Sequence, residues 1–276
     1  DDGSLDVVTG QAQYGRNRDD WGNWFGGDNN RPIWYYAVDD RYIRRNPHVA
    51  APPGRVDLTP RRTSYPCGWV VTHHALGEPC PPLGQPGTWT CLCGTMIYRD
   101  ELLGPQFTGN AFFADAVYNC VGRMIVTPDG VLFRGERAAD EQQSEFLGSH
   151  DPWFRPATIR TGPDGALWVV DMYRFVIEHP QWINDDLEKT LDLRLGHDRG
   201  RIWRVYPSDK KPRPIPHLDQ LDTAALVAAL DSPSGWQRDM AQMMLVWRND
   251  AVVVGPLEKM AAASQRPLAR LHALCT

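Results

Sequence analysis

Short β-prone runs rich in apolar residues, each ended by Gly or Pro, fill the first 206 residues of the chain. Two of these runs, residues 123–127 and 157–161, lead into Asp-Gly and then into a second β-prone run. Asp-Gly between two strand-like runs is a strong hairpin signal, because Gly accepts a positive φ and Asp caps its own turn. The pattern therefore predicts two β-hairpins, with turns at Gly130 and Gly165.

The Asp-Gly turn occurs a third time, at Asp2 and Gly3, so the hairpin is a recurring unit. Recurring hairpins along one chain are typical of β-propeller blades. The copies are unevenly spaced, with 127 residues between the first two and 35 between the last two. A propeller then requires about two or three diverged blades in the first interval. The alternative is a set of unrelated hairpins.

From residue 218 onward the apolar residues recur at helical spacing instead. The segment 222–230 opens with Asp222, a residue type that caps helix N-termini. The same pattern repeats in three more segments, 236–247, 251–263 and 267–274. Two of the four segments echo one another at a shift of 32 residues, which is near the period of helix-pair solenoids. These segments predict HEAT-like helix pairs, with a plain helical bundle as the alternative.

The fold class that follows is mainly β: a partial β-propeller of several four-stranded blades, followed by a short α-helical HEAT-like repeat region. We expect the propeller over residues 1–206, a Pro-rich linker over 207–217 and truncated helical repeats over 218–276. Because the chain begins in a turn and stops in a helical pattern, we interpret it as an internal fragment of a longer protein. An open propeller of this kind would expose a sheet edge and tend to aggregate.

The charge, the apolar runs and the cysteines of the sequence limit the kinds of binding partner and covalent attachment that it predicts. The formal net charge of −5 gives no reason to expect a nucleic acid. No apolar run approaches the roughly 18–20 residues that a membrane span needs. The Cys-x2-Cys-His spacing of covalent haem attachment is absent from the sequence. Cys67 and Cys80 flank a Pro-rich loop and could form a disulfide in an oxidising compartment, while free buried thiols are equally compatible with the other cysteines.

Propeller geometry predicts which loops share a rim. The loops on either side of the hairpin at Gly165 are 149–155 and 171–179, and both are dense in titratable and aromatic side chains. The connection 39–48 of another blade is expected to open on the same face. Arg, Tyr, His and Asp on one rim could bind an anionic planar ligand and abstract a proton. The alternative is that these side chains form the contacts that hold the blades together.

Two further features are weaker signals. The segment 21–30 ends in a cluster of Asp and Asn residues that could supply oxygen ligands to Ca²⁺. A turn with side-chain capping is the alternative, because the periodic Asp spacing of a calcium loop is absent. His73 and His74 are adjacent on a predicted strand, so they point to opposite faces and are not expected to act together.

Several blocks of the chain carry a family resemblance: residues 20–30, 42–49, 97–104 and, as the closest match, 151–180. The last block contains Asp-Pro-Trp-Phe-Arg-Pro, then Gly-Pro-Asp-Gly-Ala-Leu, then Asp-Met-Tyr-Arg. Nearly the whole chain resembles the large membrane-bound dehydrogenases of planctomycetes and related bacteria. The resemblance implies a propeller similar to soluble quinoprotein sugar dehydrogenases, HEAT-like helices and a c-type haem domain further downstream. Tyr118 departs from the family pattern, which has His in that segment.

The function implied by the resemblance is oxidation of a sugar or alcohol by pyrroloquinoline quinone, with electrons passing to the haem domain of an exported, periplasmic protein. The reaction needs a base for the hydroxyl proton, cations for the carboxylates of the cofactor and a hard cation, here Ca²⁺, at the quinone carbonyl. The candidate bases are His48, His150 and His179; the candidate cofactor partners are Arg41, Arg44, Arg155, Asp171, Tyr173 and Arg174; the candidate cation ligands are Asp28 and Asp171. The alternative is a non-catalytic scaffold of propeller and helical repeats that binds carbohydrate or protein.

Overall fold

A computed structural model of the chain describes residues 3–5, 11–59, 63–68, 83–177 and 179–276. The chain forms two compact units. Unit one consists of Asp1–Ile97, Gly109–Ile159 and Val169–Trp203, and unit two consists of Tyr98–Thr108, Arg160–Trp168 and Arg204–Thr276. The boundaries expected at residues 206 and 217 stay a prediction.

The first sheet of unit one is an antiparallel meander in which neighbours along the chain pair with one another. Its strands, in order, are β1 (Asn17–Arg18), β2 (Trp24–Asp28), β3 (Arg31–Tyr35) and β4 (Val56–Asp57). A single helical turn, α1 (Asp40–Ile43), separates β3 from β4 along the chain. The carboxylate of Asp28 closes the turn between β2 and β3, because its Oδ1 accepts the N–H of Arg31 at 3.0 Å.

The second large sheet of unit one is also a meander, with the order β10-β9-β8-β7 and one short extra strand, β11, paired to the start of β9. Its strands are β7 (Leu92–Ile97), β8 (Ala111–Asp115), β9 (Cys120–Asp129), β10 (Leu132–Glu136) and β11 (Leu147–Gly148). A separate two-stranded ribbon pairs β5 (Thr63–Ser64) with β6 (Gly87–Thr88). The short strand β11 brings the loop that follows it to the beginning of β9.

The core of unit one is built around β8, of which all five residues are buried. Burial on both faces explains why this strand is a nearly continuous apolar run rather than an alternating one. The ring of Trp89 packs edge-on against Phe113, with centroids 5.2 Å apart. Gly122 on β9 leaves room for that pair, since a Cβ there would lie 2.3 Å from the ring of Phe113.

Both hairpins predicted from Asp-Gly are present. The turn at Gly130, with φ 62°, joins β9 to β10. The turn at Gly165, with φ 89°, joins β12 (Pro156–Thr161) to β13 (Leu167–Asp171). A further strand, β14 (Arg201–Val205), completes a three-stranded sheet in the order β12-β13-β14. The third Asp-Gly copy lies largely outside the described residues.

The helical spacing at the end of the chain gives four helices in unit two: α3 (Thr223–Ala229), α4 (Gly235–Arg248), α5 (Val254–Ala263) and α6 (Pro267–Cys275). The sequence-predicted cap is present, because the carboxylate of Asp222 accepts the N–H of Ala225 at 2.8 Å. The helices share an apolar core that includes Leu226, Leu230 and Leu245.

Unit one contains a further short helix, α2, which spans Asp185–Glu188 and precedes these four along the chain.

Unit two also contains two segments from earlier in the chain, 98–108 and 160–168. The guanidinium of Arg99 donates to both carboxylate oxygens of Asp239 on α4, at 2.6 and 3.0 Å. The hydroxyl of Tyr98 donates to the carbonyl of Gly165 at 2.6 Å. These contacts tie the two segments and α4 into one packed unit.

The architecture is thus mainly β, with several antiparallel sheets followed by a few C-terminal helices, and at this level it agrees with the sequence prediction. Among the described residues, none of the helices combines the length and apolar character that crossing a membrane requires.

Replacing Gly165 by Ala is expected to destabilise the protein more than the matched change Gly130→Ala. Both positions have a positive φ, where a Cβ costs about 1–2 kcal/mol. At Gly165 the Cβ would also lie 2.5 Å from a nitrogen of Arg213 and 2.7 Å from Oδ1 of Asp100, whereas at Gly130 nothing lies within 4 Å. Urea unfolding should show an additional loss of about 1–3 kcal/mol for Gly165→Ala. Equal losses would show that this crowding relaxes without cost.

Candidate functional site

The carboxylate of Asp171, at the end of β13, is the centre of a buried polar cluster in unit one. Its Oδ1 accepts the main-chain N–H groups of Arg155 and Tyr173, each at 2.9 Å. Its Oδ2 accepts Nε of Arg201 at 2.7 Å and the indole N–H of Trp203 at 3.0 Å. With two donors on each oxygen and no exposed side-chain surface, Asp171 links the loop before β12, the loop after β13 and the start of β14.

Arg155 directs its buried guanidinium at main-chain carbonyls. Its Nε donates to Arg174 at 3.0 Å, Nη1 donates to Ala116 and Val117 at 2.9 and 3.3 Å, and Nη2 donates to Phe175 at 2.9 Å. The residue is 2% exposed. Buried carbonyls without donors are costly, so Arg155 stabilises two irregular segments that have few strand partners.

Arg174 has a similar set of acceptors. Its Nη1 donates to the carbonyls of Met172 and Arg199, at 3.0 and 2.9 Å, and also to that of Gly196. Its Nη2 donates to the carbonyl of His197 at 3.0 Å. The side chain therefore ties the loop after β13 to residues 196–199.

Tyr173 lies between aromatic and cationic neighbours. Its φ is 55°, an uncommon value for a residue with a bulky side chain. Its ring contacts the ring of Trp153, with centroids 5.2 Å apart, and the guanidinium of Arg201 lies 3.9 Å from its centroid. The hydrogen bond from the main-chain N–H of Tyr173 to Asp171 helps to hold this strained backbone conformation.

The structure brings Arg155, Asp171, Tyr173 and Arg174 together, as the positions of their loops predict. The polar contacts of the two arginines described here are made with the protein's own main chain. These contacts give both arginines a structural role. Their assignment, and that of Asp171 and Tyr173, to a cofactor stays a prediction.

Arg41, Arg44 and His48 lie on the surface at and after α1. Arg41 is exposed, lies 3.6 Å from the carboxylate of Asp39 and stacks on Tyr42 with 4.9 Å to the ring centroid. Arg44 is exposed. The main-chain N–H of His48 donates to the side chain of Asn46 at 3.0 Å. The described contacts of Arg41 and His48 are local, and the roles proposed for all three residues stay predictions.

Asp28 has the geometry of a capped turn. Its Oδ1 accepts the N–H groups of Asn30 and Arg31 at 3.2 and 3.0 Å, and its Oδ2 lies 3.8 Å from the guanidinium of Arg31. Over the part of the chain that the structure describes, no three His, Cys, Asp or Glu side chains are grouped so that they could hold a metal ion. The role of Asp28 as a calcium ligand stays a prediction.

Hydrogen bonds distinguish two of the three candidate histidines. Nδ1 of His150 lies 2.8 Å from the carbonyl oxygen of Cys67. A carbonyl can only accept, so Nδ1 carries the proton and the neutral ring keeps a lone pair on Nε2. Nδ1 of His179 instead accepts the N–H of Gln181 at 3.3 Å, which caps the turn over Pro180–Trp182. The ring of His150 is thus held through Nδ1 and can accept a proton at Nε2, as a general base does. In His179, Nδ1 is the acceptor that caps a turn, so the neutral ring carries its proton on Nε2.

His150 lines a cavity of about 410 Å³ in unit one. The other described residues around it are Tyr65, Pro66, Cys67, Leu83, Gly84, Gln143, Ser144, Glu145, Gly148 and Ser149. This volume lies within the range of small-molecule sites. His150 lies in the loop that follows β11, and its ring contacts the carbonyl of Cys67, which lies just before a segment outside the described residues. The predicted disulfide partner Cys80 and the pair His73 and His74 lie in that segment, outside the described residues.

Glu145 is the buried carboxyl group of this cavity. Its side chain has no exposed surface, and its Oε1 accepts from the guanidinium of Arg137 at 2.5 Å and from the N–H of Tyr65 at 2.8 Å. Its Oε2 has no hydrogen-bond partner among the described residues. Burial raises the pKa of Glu145 to about 8, against the opposing effect of Arg137. A carboxyl group with such a pKa can bind or release a proton near neutral pH.

Sequence reasoning missed Glu145, because it belongs to the polar segment 140–145, which has the composition of an exposed loop. Its burial depends on Arg137, eight positions earlier, and on a contact with Tyr65, eighty positions earlier. No local pattern in the sequence encodes the second of these partners.

The sheets and helices define a mainly β protein with a few C-terminal helices. A family model described as a domain of unknown function, DUF7133, matches residues 1–209, and the chain belongs to this family. Neither a curated protein nor a solved structure matches the chain.

The change Arg155→Met is expected to lower the free energy of unfolding by about 3 kcal/mol or more, because it leaves several buried carbonyls without donors. The control is Arg134→Met, which removes an exposed guanidinium 3.1 Å from Glu136 and should cost less than about 1 kcal/mol. Chemical denaturation of both variants measures the difference. Unchanged stability of Arg155→Met would contradict the structural role and favour a role in ligand binding.

The raised pKa of Glu145 predicts a pH dependence of stability. The usual value for Glu is 4.5, so between 4.5 and about 8 the folded state holds a proton that the unfolded state has lost. Stability should therefore fall as the pH rises through this window, by at most about 1.4 kcal/mol per pH unit. Glu145→Gln should remove this slope, whereas Glu136→Gln, at an exposed position, should keep it. Denaturation at several pH values checks both, and equal slopes in Glu145→Gln and the unmodified protein would contradict the assignment.

Proposed function

We propose that unit one is part of a β-propeller and that α3 to α6 form HEAT-like helix pairs, as in the planctomycete-type membrane-bound dehydrogenases that the chain resembles. Two sheets are meanders in which consecutive strands pair, the strand order of propeller blades. The four helices follow one another with short connections, as helical repeats do.

On this fold, the function that we propose is the oxidation of a hydroxyl group of a sugar or alcohol, with His150 as the base. The observation that carries this proposal is the bond of Nδ1 of His150 to the carbonyl of Cys67 at 2.8 Å. It fixes the ring and leaves Nε2 as the nitrogen able to accept a proton. In keeping with the family that the chain resembles, the electrons would pass to a c-type haem domain of an exported, periplasmic protein.

The cavity also has a buried carboxyl group in its wall. Oε2 of Glu145 is buried and has no hydrogen-bond partner among the described residues, and the raised pKa of the group favours its neutral form near pH 7. A hydroxylated substrate in this cavity would find an acceptor at Nε2 of His150, beside a carboxyl group whose negative charge burial disfavours. A few placed polar groups of this kind are typical of binding sites for small polar molecules.

The described lining does not fit pyrroloquinoline quinone. That cofactor carries three carboxylates, which require cationic partners. No Lys or Arg is among the described residues that line the cavity, and Glu145 would oppose an anionic ligand once it loses its proton. Arg155 and Arg174 donate to main-chain carbonyls instead. We therefore assign no step of the reaction to this cofactor.

A second candidate function is a non-catalytic scaffold that binds carbohydrate or protein. The contacts of Arg155 and Arg174 favour it, because residues suited to an anionic ligand serve here to hold loops. In that case His150 and Glu145 shape a binding cavity without transferring a proton.

The change His150→Gln separates the two functions. The unmodified protein is assayed by dye reduction across a panel of sugars and alcohols, both without added cofactor and with pyrroloquinoline quinone and Ca²⁺ supplied. If His150 is the base, the variant should lose about 100-fold or more of the rate while its melting temperature is unchanged. His179→Gln, at an exposed cap, is the matched control and should keep the rate.

Dye reduction by the unmodified protein that survives His150→Gln would remove His150 as the base. No reduction with any substrate, with or without pyrroloquinoline quinone and Ca²⁺, would contradict the oxidoreductase proposal. Binding of an oligosaccharide by that same inactive protein would then support the scaffold.

A further inference from the structure

Two thiols meet at the wall of the same cavity. Cys67 is half-buried and lines the cavity, and its N–H donates to the carbonyl of Tyr118 at 3.0 Å. Cys120 begins β9 and is fully buried in the core cluster against which Cys67 packs. Both are free cysteines, and the thiol of Cys67 donates to the carbonyl of Tyr65 at 3.5 Å.

Gly148 makes room for this pair. It lies on β11 directly opposite Cys120 in the register with β9. A Cβ at Gly148 would lie 2.3 Å from the sulfur of Cys67, far inside any permitted contact. The thiol of Cys67 therefore occupies the space that a side chain at position 148 would fill. Position 148 lies opposite Cys120, because β11 pairs with β9 there.

The two thiols differ in the way that a reactive pair requires. The neighbouring thiol of Cys120 lowers the pKa of Cys67, while burial raises the pKa of Cys120. Cys67 also borders the cavity, whereas Cys120 has no exposed surface. An attacking thiol has a low pKa and access to solvent, and a resolving thiol lies beside it.

We propose that Cys67 and Cys120 form a redox-active pair that a peroxide converts into an intrachain disulfide. The thiolate of Cys67 attacks one oxygen of the peroxide, the O–O bond breaks, and hydroxide leaves to become water by taking up a proton. The resulting sulfenic acid reacts with the thiol of Cys120, which forms the S–S bond and releases a second water. The two thiols lose two electrons and hydrogen peroxide gains them.

The disulfide would act on the site already described. The carbonyl of Cys67 holds His150, so fixing the side chain of Cys67 to β9 fixes the group that orients the imidazole. This consequence for activity rests on the proposed function, whereas formation of the disulfide does not.

Disulfide mapping tests the proposal on the unmodified protein. The folded protein is treated with hydrogen peroxide, the remaining thiols are alkylated, and the chain is cleaved with trypsin and after Trp69, which separates Cys67 from Cys80. Mass spectrometry should find the peptides of Cys67 and Cys120 joined, and a thiol reductant should release them. Cys120→Ser should abolish that linkage and trap Cys67 as a sulfenic acid, which a dimedone probe labels. Cys275→Ser, which removes an exposed thiol, is the control and should leave the linkage in place.

Joining of Cys67 to Cys80 would overturn the pairing, and so would full alkylation of Cys67 after peroxide treatment. If the disulfide forms while His150→Gln leaves the dye assay unchanged, the redox pair stands and the role of His150 as base falls. If no disulfide forms while His150→Gln abolishes the activity, the reverse holds.

Discussion

The need to provide donors for buried main-chain carbonyls governs the irregular part of unit one. Arg155 supplies four such bonds from one side chain, to the carbonyls of residues 116 and 117 after β8 and of residues 174 and 175 after β13. Asp171 does the converse and accepts two main-chain N–H groups. Together they replace the strand ladder where the chain enters β12 and leaves β13, since each buried unpaired group would cost about 1–3 kcal/mol.

The site in the cavity is supported mainly by main chain. His150 is oriented by a main-chain carbonyl rather than by a carboxylate. Glu145 is held by Arg137 and by the N–H of Tyr65, and both contacts act on the same oxygen. One oxygen is thereby anchored, and the other is buried without a hydrogen-bond partner among the described residues. The carboxyl group is thus held in place through a single atom.

Local signals were sufficient for the hairpins and the helices. Gly130 and Gly165 adopt the positive φ that Asp-Gly predicts, and Asp222 caps α3 because the residue and its helix are adjacent in sequence. The place of Arg155 in the loop before β12 also followed from the hairpin. Its partners did not, because Ala116 lies thirty-nine positions away and only tertiary packing brings it close. Glu145 was missed for the same reason, since composition describes a polar segment but does not show which of its members is buried.

Gly148 limits which side chain the protein can hold at position 67. Any side chain at this position would displace the sulfur of Cys67, and a larger residue in place of Cys67 would meet the backbone of β11. The two positions, eighty-one residues apart in the sequence, are therefore coupled by packing. We expect a residue larger than glycine at position 148 to be compatible only with a residue at position 67 that leaves this space empty.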